Sequence, residues 1–108
     1  MTQHEPLTEP TFYILTALVP AANHGYAIMQ AVGELSAGRV QLSTGTLYTA
    51  LKRLLDAGWI EDVTPENAPR GRRDYRLTPT GRAVLQAESE RLFERAALAQ
   101  RRLEANNR

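Results

Sequence analysis

A run of hydroxyl-bearing and basic residues between positions 43 and 53 is the first feature of this sequence with a distinctive chemistry. The run consists of Ser43, Thr44, Thr46, Tyr48, Thr49, Lys52 and Arg53. On a helix, Thr49, Lys52 and Arg53 face away from the apolar stripe that contains Leu47, Leu51 and Leu54, and Thr46 and Tyr48 lie on the flanks of this outer face. Ser43 or Thr44 can cap the helix. Small hydroxyl side chains let the unpaired N–H groups of a helix start approach base edges and phosphates, and Lys and Arg add positive charge. The run therefore suits contact with the major groove of DNA.

Three arginines within four residues form the second such feature. Arg70, Arg72 and Arg73 belong to a polar stretch, ENAPRGRR, whose Pro and Gly predict a loop. The planar guanidinium group suits phosphates and narrow minor grooves. The formal net charge is +1, and between residues 39 and 82 eight basic residues stand against five acidic ones. Because this balance is weak for a nucleic-acid binder, the hypothesis depends on where the charges are placed.

Catalytic and metal sites find no support in the residue types. The 108 residues include no cysteine, which excludes disulfides and thiolate metal sites. The two histidines, His4 and His24, have no further ligands at metal-binding spacing. There is also no Ser/His/Asp set, no glycine-rich phosphate loop and no suitable carboxylate pair. We therefore expect neither an enzyme nor a bound cofactor.

The sequence also bears on location. The first ten residues, MTQHEPLTEP, have no basic start followed by an apolar run, which predicts that there is no signal peptide. No stretch approaches the roughly 18 apolar residues of a membrane helix. We therefore expect a cytoplasmic protein without a membrane partner.

The order of the predicted elements is typical of a winged helix-turn-helix. Helices are expected from about Thr8 to Pro20, over residues 26–35, and from Ser43 or Thr44 to Gly58. A small strand is expected at RVQLS, and two more at WIEDVTP and RDYRLTP, whereas AANHG is expected to be a turn. The expected fold is mainly α with a small β-wing. We expect residues 1–77 to form a winged helix-turn-helix domain and residues 78–108 to form a C-terminal dimerisation helix.

The last helix is longer than a domain of this size can cover. It is expected to begin after the cap Thr78, with Pro79 at its first position, and to reach about Ala105. At 1.5 Å per residue, roughly 28 residues span about 40 Å. A near-heptad apolar stripe predicts a homodimer through Leu85, Leu92, Phe93, Ala96, Ala99 and Leu103. The two recognition helices would then lie about 34 Å apart, which is one turn of DNA.

Three segments resemble the PadR family of bacterial transcriptional regulators. They are HGYAIMQ (24–30), LSTGTLYTALKRLLDAGWI (42–60) and RGRRDYRLTPTGRAVL (70–85). Their order and spacing match the family, and the resemblance covers nearly the whole chain. It implies a homodimeric winged-helix protein, usually a repressor, that binds an inverted-repeat operator in double-stranded DNA. It also implies that the third helix enters the major groove with Tyr48 at the DNA surface, while the three arginines contact the backbone or minor groove.

The resemblance further implies a dimer mode and an effector. A single C-terminal helix is similar to the short subgroup, in which this helix and the first one build the dimer. Some members release DNA when a small aromatic or phenolic compound binds at or near the dimer interface. This sequence departs from the family at Thr44 and Thr49, where proline is frequent, and at Ala27, where an acid is common. It also has Asp74 where an aromatic is usual, and a carboxylate beside the arginines weakens the local field.

Plainer interpretations remain open from the residues alone. The polar face of the third helix could be a solvated surface, the arginine cluster an ordinary loop tip, and Tyr48 a half-buried packing residue. We expect Trp59 to pack under the wing, Arg76 to be structural, and His24 to belong to the turn before the second helix. Two other functions also remain. One is a winged-helix module that binds protein, and the other is a dimer with an apolar cavity for flat ligands.

Overall fold

The computed structural model describes residues 5–107. Within this range, four helices and three short strands are connected by loops. The elements in chain order are α1 (Glu9–Ala17), β1 (Asn23–His24), α2 (Gly25–Leu35), α3 (Thr44–Ala57), β2 (Ile60–Asp62), β3 (Asp74–Leu77) and α4 (Pro79–Asn106). This mainly helical fold with a small antiparallel sheet confirms the expected fold class. His4, the start of the segment tested for a signal peptide, and the outer ends of the predicted domain division lie outside the described residues.

Local side-chain chemistry sets the ends of the helices. The hydroxyl groups of Thr8, Ser43 and Thr78 each accept a hydrogen bond from a first-turn backbone N–H, at the starts of α1, α3 and α4 respectively. Helix α3 ends at Gly58, whose φ of 77° lies in the left-handed region that glycine enters at low cost. Both ends of α3 therefore lie where the sequence predicts them.

The sheet joins the wing to the start of α2. Its strand order is β1-β3-β2, with both pairs antiparallel. Strand β3 lies in the centre, and Tyr75 and Leu77 on one side of it are buried in the core. Asp74 lies opposite His24 of β1, and Asp62 of β2 lies opposite Tyr75. The wing is therefore paired directly to the residue that caps α2.

The strand predicted at RVQLS is wrong. Residues 39–43 form no strand, and the third strand is Asn23–His24, in the segment predicted as a turn. The reason is local, because the N–H and carbonyl of Val40 are both bound by the hydroxyl of Ser36, at 3.0 and 3.2 Å. A backbone satisfied by a side chain has no need of a sheet partner. Helix α1 also ends at Ala17, earlier than the predicted Pro20.

The hydrophobic core lies between α1, α2, α3 and the inner face of the sheet. Its buried side chains are Ile14, Leu15, Leu18, Ile28, Val32, Val40, Leu47, Leu51, Leu54, Ile60, Tyr75 and Leu77. The inner stripe of α3 belongs to this set, so its opposite face is turned to solvent. Core packing therefore orients the polar face of α3 outward.

A tight junction connects the end of α3 to the start of α4. The backbone N–H of Thr78 donates to the carbonyl oxygen of Trp59 at 3.0 Å, and its hydroxyl donates to that of Gly58 at 2.6 Å. A Cβ atom at Gly81 would collide with the same Trp59 carbonyl. The first turn of α4 is thus fixed against the residues that end α3.

The distal half of α4 extends away from the rest of the molecule, whose longest dimension is 63 Å. Leu85 still packs on the core, and Glu88 is buried. From Leu92 onward almost every residue of α4 is exposed. The division into residues 1–77 and 78–108 stays a prediction. Within residues 5–107 no helix is long and apolar enough to span a membrane.

Candidate nucleic-acid interface

The outer face of α3 carries every polar residue that the sequence predicts for it. Ser43, Thr44, Thr46, Tyr48, Thr49, Lys52 and Arg53 are all exposed. Lys52 lies 3.6 Å from Asp56 one turn later, in an exposed ion pair of a kind that contributes little to stability. A groove of about 610 Å³ separates the start of α3 from the start of α1 and is bordered by Thr49 and Arg53. The face is therefore accessible along its length.

The start of α3 combines a cap with small side chains. Ser43 accepts the N–H of Thr46 at 3.2 Å and donates its own hydrogen to the Thr46 hydroxyl at 2.9 Å. A Cβ atom added at Gly45 would meet nothing within 4 Å, so the space beside this turn is open. The open first turn and the positive end of the helix dipole together favour an anionic group at this point.

Tyr48 combines both interpretations that the sequence left open. Its side chain is among the exposed large hydrophobic ones, at 41%. Its hydroxyl nevertheless lies against Gly25 at the start of α2, so closely that a Cβ atom there would overlap it. The pKa of Tyr75 in β3 is raised, first by burial and then by the nearby Tyr48 and Asp62. Tyr48 thus lies where α2, α3 and the wing meet.

The arginines of the wing are exposed, but two of them are paired with acids. Arg72 donates from Nε and Nη2 to the two carboxylate oxygens of Asp74, at 2.9 and 3.2 Å. This contact raises the pKa of Arg72 above its ordinary value, first through the hydrogen bond and then through charge. Arg73 lies 3.7 Å from Asp62. Among residues 5–107, Arg70 makes no side-chain hydrogen bond or ion pair, and no such contact joins these three arginines to α3.

Thr64 organises the base of the wing, a role that the sequence analysis missed. Its backbone N–H donates to the Asp62 carboxylate at 2.8 Å, its hydroxyl makes a short contact with the same oxygen, and the hydroxyl accepts the N–H of Asp74 at 2.9 Å. The Thr64 hydroxyl and N–H lower the pKa of Asp62 below its ordinary value. The spacing Asp-x-Thr is the signal for such a local turn.

Arg76 forms a cross-strand ion pair within the wing, and its structural role stays a prediction. It lies opposite Glu61 in the β2–β3 pair and donates to its carboxylate at 2.9 and 3.2 Å. Trp59 is half-buried against the core, and it borders a groove of about 750 Å³ together with Leu7, Val84 and Ala87. Among residues 5–107 no group of three or more His, Cys, Asp or Glu could hold a metal ion.

Comparison with known proteins assigns this arrangement to a family. A family model described as "Transcriptional regulator PadR-like family" matches residues 14–87, which is more than half of the chain. The chain belongs to the PadR-like family of transcriptional regulators. The matched range runs from α1 through the third turn of α4 and includes α3 and the wing.

Solved structures share the fold of this PadR-like chain. A PadR family transcription regulator from hypervirulent Clostridium difficile R20291 has a TM-score of 0.72 at 24% identity, over 89% of this chain and 99% of that chain. Bacillus subtilis PadR in complex with operator DNA has a TM-score of 0.61 at 26% identity, over 71% of this chain and 45% of that chain. Both support the winged-helix fold.

A curated relative of this PadR-like chain is known from a mobile element. It is an uncharacterized 37.1 kDa protein in transposon TN4556 of Streptomyces fradiae. The two are 39% identical over 90 residues, which cover 77% of this chain and 25% of that protein. The chain thus spans about a quarter of the length of the curated relative it matches.

The predicted dimerisation residues divide into two groups in this PadR-like fold. Leu85 packs against the core of its own chain. The others, Leu92, Phe93, Ala96, Ala99 and Leu103, are exposed on the distal half of α4. Phe93 is 76% exposed and Leu103 is 66% exposed. The distal stripe is therefore an apolar surface without a cover among the described residues.

Proposed function

We propose that this PadR-like chain is a homodimeric repressor that binds an inverted-repeat operator in double-stranded DNA through α3 and the wing. The observation that carries this proposal is the exposed face of α3, where hydroxyl and basic side chains surround an open helix start. The likeness to Bacillus subtilis PadR, whose structure contains operator DNA, supports DNA as the partner.

Helix α3 supplies the base readout in this proposal. Thr49 and Arg53 lie one turn apart on its exposed face, and both border the groove next to α1. Arg can bind guanine edges with two hydrogen bonds, and a threonine methyl group can contact thymine. Ser43, Thr44 and Thr46 at the helix start are close enough to the dipole end to bind a phosphate.

The wing supplies contacts that do not depend on sequence. The exposed arginines at its tip suit the phosphate backbone, and Arg70, which makes no described ion pair, has the strongest claim. Phosphate contacts set the position of a protein on the duplex, whereas base contacts set its sequence preference. The two surfaces therefore have different salt dependence.

The distal half of α4 supports the dimer. Its exposed stripe, Leu92, Phe93, Ala96, Ala99 and Leu103, is not covered by any other part of residues 5–107. Contiguous apolar surface of this kind marks an interaction site. A second copy is the simplest partner because closed two-fold dimers are the commonest oligomers.

A small aromatic or phenolic effector is part of the proposal. The groove beside Trp59 has a volume of about 750 Å³ and is lined by Leu7, Val84 and Ala87 as well as by polar groups. An apolar cleft with an aromatic wall and a few polar groups suits a flat ligand. The groove lies at the base of α4, so a ligand there would contact the helix that supports the dimer.

The deciding experiment measures binding of the purified chain to two duplexes of equal length over a salt series. One duplex is the DNA upstream of the gene that encodes the chain (the upstream DNA), and the other has a random sequence. We expect the upstream DNA to bind more tightly, and Thr49→Ala and Arg53→Ala to reduce this preference by 1–3 kcal/mol, which is about 5-fold to 150-fold, for each lost base contact. Gln86→Ala, on α4 and away from α3, is the matched control. Adding phenolic compounds while recording Trp59 fluorescence tests the effector.

A second candidate, a module that binds protein, is favoured by one observation. Two of the three wing arginines are already paired with Asp74 and Asp62, which reduces the positive field at the wing. This candidate requires the upstream DNA and the random duplex to bind equally at physiological salt, with Arg53→Ala having no effect. That result would replace the operator proposal.

A further inference from the structure

We propose that Asp74 restrains the binding of this chain to DNA by occupying the guanidinium group of Arg72, the group that would otherwise bind a phosphate. The inference rests on the proposed function for its biological meaning.

The geometry of the pair carries the inference. Asp74 presents both carboxylate oxygens to Nε and Nη2 of Arg72, at 2.9 and 3.2 Å. A DNA phosphate presents two oxygens to the same edge of a guanidinium group in the same bidentate manner. Asp74 and a phosphate therefore compete for one site on Arg72.

The carboxylate is held in place more firmly than the arginine. Asp74 lies in the central strand opposite His24, and its backbone N–H donates to the Thr64 hydroxyl at 2.9 Å. Its side chain is 14% exposed, against 45% for Arg72. When Arg72 turns to a phosphate, Asp74 is left half-buried without this partner, which costs free energy. Replacing the Arg72–Asp74 contact with an Arg72–phosphate contact therefore adds little to the affinity of the chain for DNA.

The other two wing arginines are paired with acids less strongly than Arg72 is. Arg73 is 3.7 Å from Asp62, longer than a hydrogen bond, and Asp62 keeps its Thr64 partners when Arg73 leaves. Arg70 makes no ion pair with any of residues 5–107. The expected order of contributions to binding of a random duplex is therefore Arg70, then Arg73, then Arg72.

The test measures binding of the full chain to a random duplex and its retention on immobilised heparin, both over a salt series. We expect Asp74→Asn to release Arg72 for one more phosphate. The slope of log K against log salt should then steepen by about 0.9, so that the loss of affinity between 50 and 200 mM salt grows about 3.5-fold. In the Arg72→Ala background, Asp74→Asn should have no such effect.

Glu61→Gln is the matched control because it also removes one negative charge from an arginine pair in the same sheet. Equal slopes for Asp74→Asn and Glu61→Gln, or an effect that survives in the Arg72→Ala background, would overturn the inference. If Asp74→Asn does not fold, the single variants decide. Arg72→Ala must then weaken random-duplex binding less than Arg70→Ala does, and an equal loss overturns the inference.

The result separates this inference from the proposed function. A wild-type chain that prefers its upstream DNA, with an unchanged slope in Asp74→Asn, leaves the operator proposal standing and overturns the restraint. A wild-type chain without any preference, whose Asp74→Asn variant still gains the Arg72-dependent slope on heparin, keeps the restraint and overturns the operator proposal.

Discussion

At the scale of single residues, Gly25 and Tyr48 form a close contact between α2 and α3. Gly25 is buried at the first position of α2, and the phenol oxygen of Tyr48 occupies the space where a side chain would stand. Tyr48 is therefore a positioning residue, and its exposed edge remains available on the outer face of α3. This contact explains why position 25 is a glycine: a larger side chain would overlap Tyr48, and the backbone there does not need the positive φ that glycine often provides.

We expect Gly25→Ala to destabilise the fold by about 1–3 kcal/mol, because the new methyl group overlaps the Tyr48 hydroxyl. Tyr48→Phe should recover part of this loss, since it removes the overlapped oxygen. Gly33→Ala is the control: nothing lies within 4 Å of its Cβ position, and it should stabilise α2 by about 0.5–1 kcal/mol. Urea unfolding measures all three, and an unchanged midpoint in Gly25→Ala would refute the contact.

At the scale of elements, Thr64 adds side-chain contacts between the two strands of the wing, which are also paired through their backbones. Thr64 binds the Asp62 carboxylate of β2 and the Asp74 N–H of β3. The Asp62 pKa lies below its ordinary value of 3.8 mainly because of the Thr64 hydroxyl. A carboxylate with a lowered pKa contributes stability above its unfolded pKa, and this contribution is lost as the pH falls through the folded pKa.

Thr64→Val should therefore raise the Asp62 pKa towards 3.8 and reduce the part of the acid-induced stability loss that comes from Asp62. An NMR pH titration of the side-chain carboxyl carbons measures the shift directly. Thr16→Val, which removes a hydroxyl bound to the Phe12 carbonyl in α1, is the control and should leave Asp62 unchanged. An Asp62 pKa that stays low in Thr64→Val would assign the shift to another cause.

How far the sequence predicts these elements depends on how local their causes are. The cap Ser43, the inner stripe of α3 and the end at Gly58 follow from neighbouring residues, and all three are confirmed. The strand at RVQLS failed because the Ser36 hydroxyl binds the backbone of Val40, and β1 was missed because two residues give no periodic pattern. The weak field beside Asp74 was predicted, whereas the bidentate pair that causes it depends on the hairpin geometry.

At the scale of the whole molecule, the apolar stripe on the distal half of α4 is exposed. Leu103 lies on the same face as Leu92, whereas Leu98 is about half exposed on the opposite face. The proposed homodimer buries the first face. The predicted dimerisation residue Leu85 is different, because it stabilises its own domain.

We expect Leu103→Glu to dissociate the proposed dimer, because it places a charge in the apolar stripe that the dimer would bury. Leu98→Glu makes the same change on the opposite face and should leave the dimer intact. Sedimentation equilibrium over a concentration series measures both. A dimer that survives Leu103→Glu and is lost in Leu98→Glu would place the interface on the other side of the helix.

The junction at Gly58 and Trp59 has a consequence for half-site spacing. Thr78 and Gly81 at the start of α4 contact the carbonyl groups of Gly58 and Trp59, directly after the end of α3. These contacts fix the angle between the two helices. In a dimer joined through α4, a change in the angle between the two copies would therefore also change the relative position of the two α3 helices. An operator with one base pair inserted at its centre would shift one half-site by about 3.4 Å along the duplex and rotate it by about a tenth of a turn, and we expect this insertion to weaken binding because the junction between α3 and α4 is tightly packed.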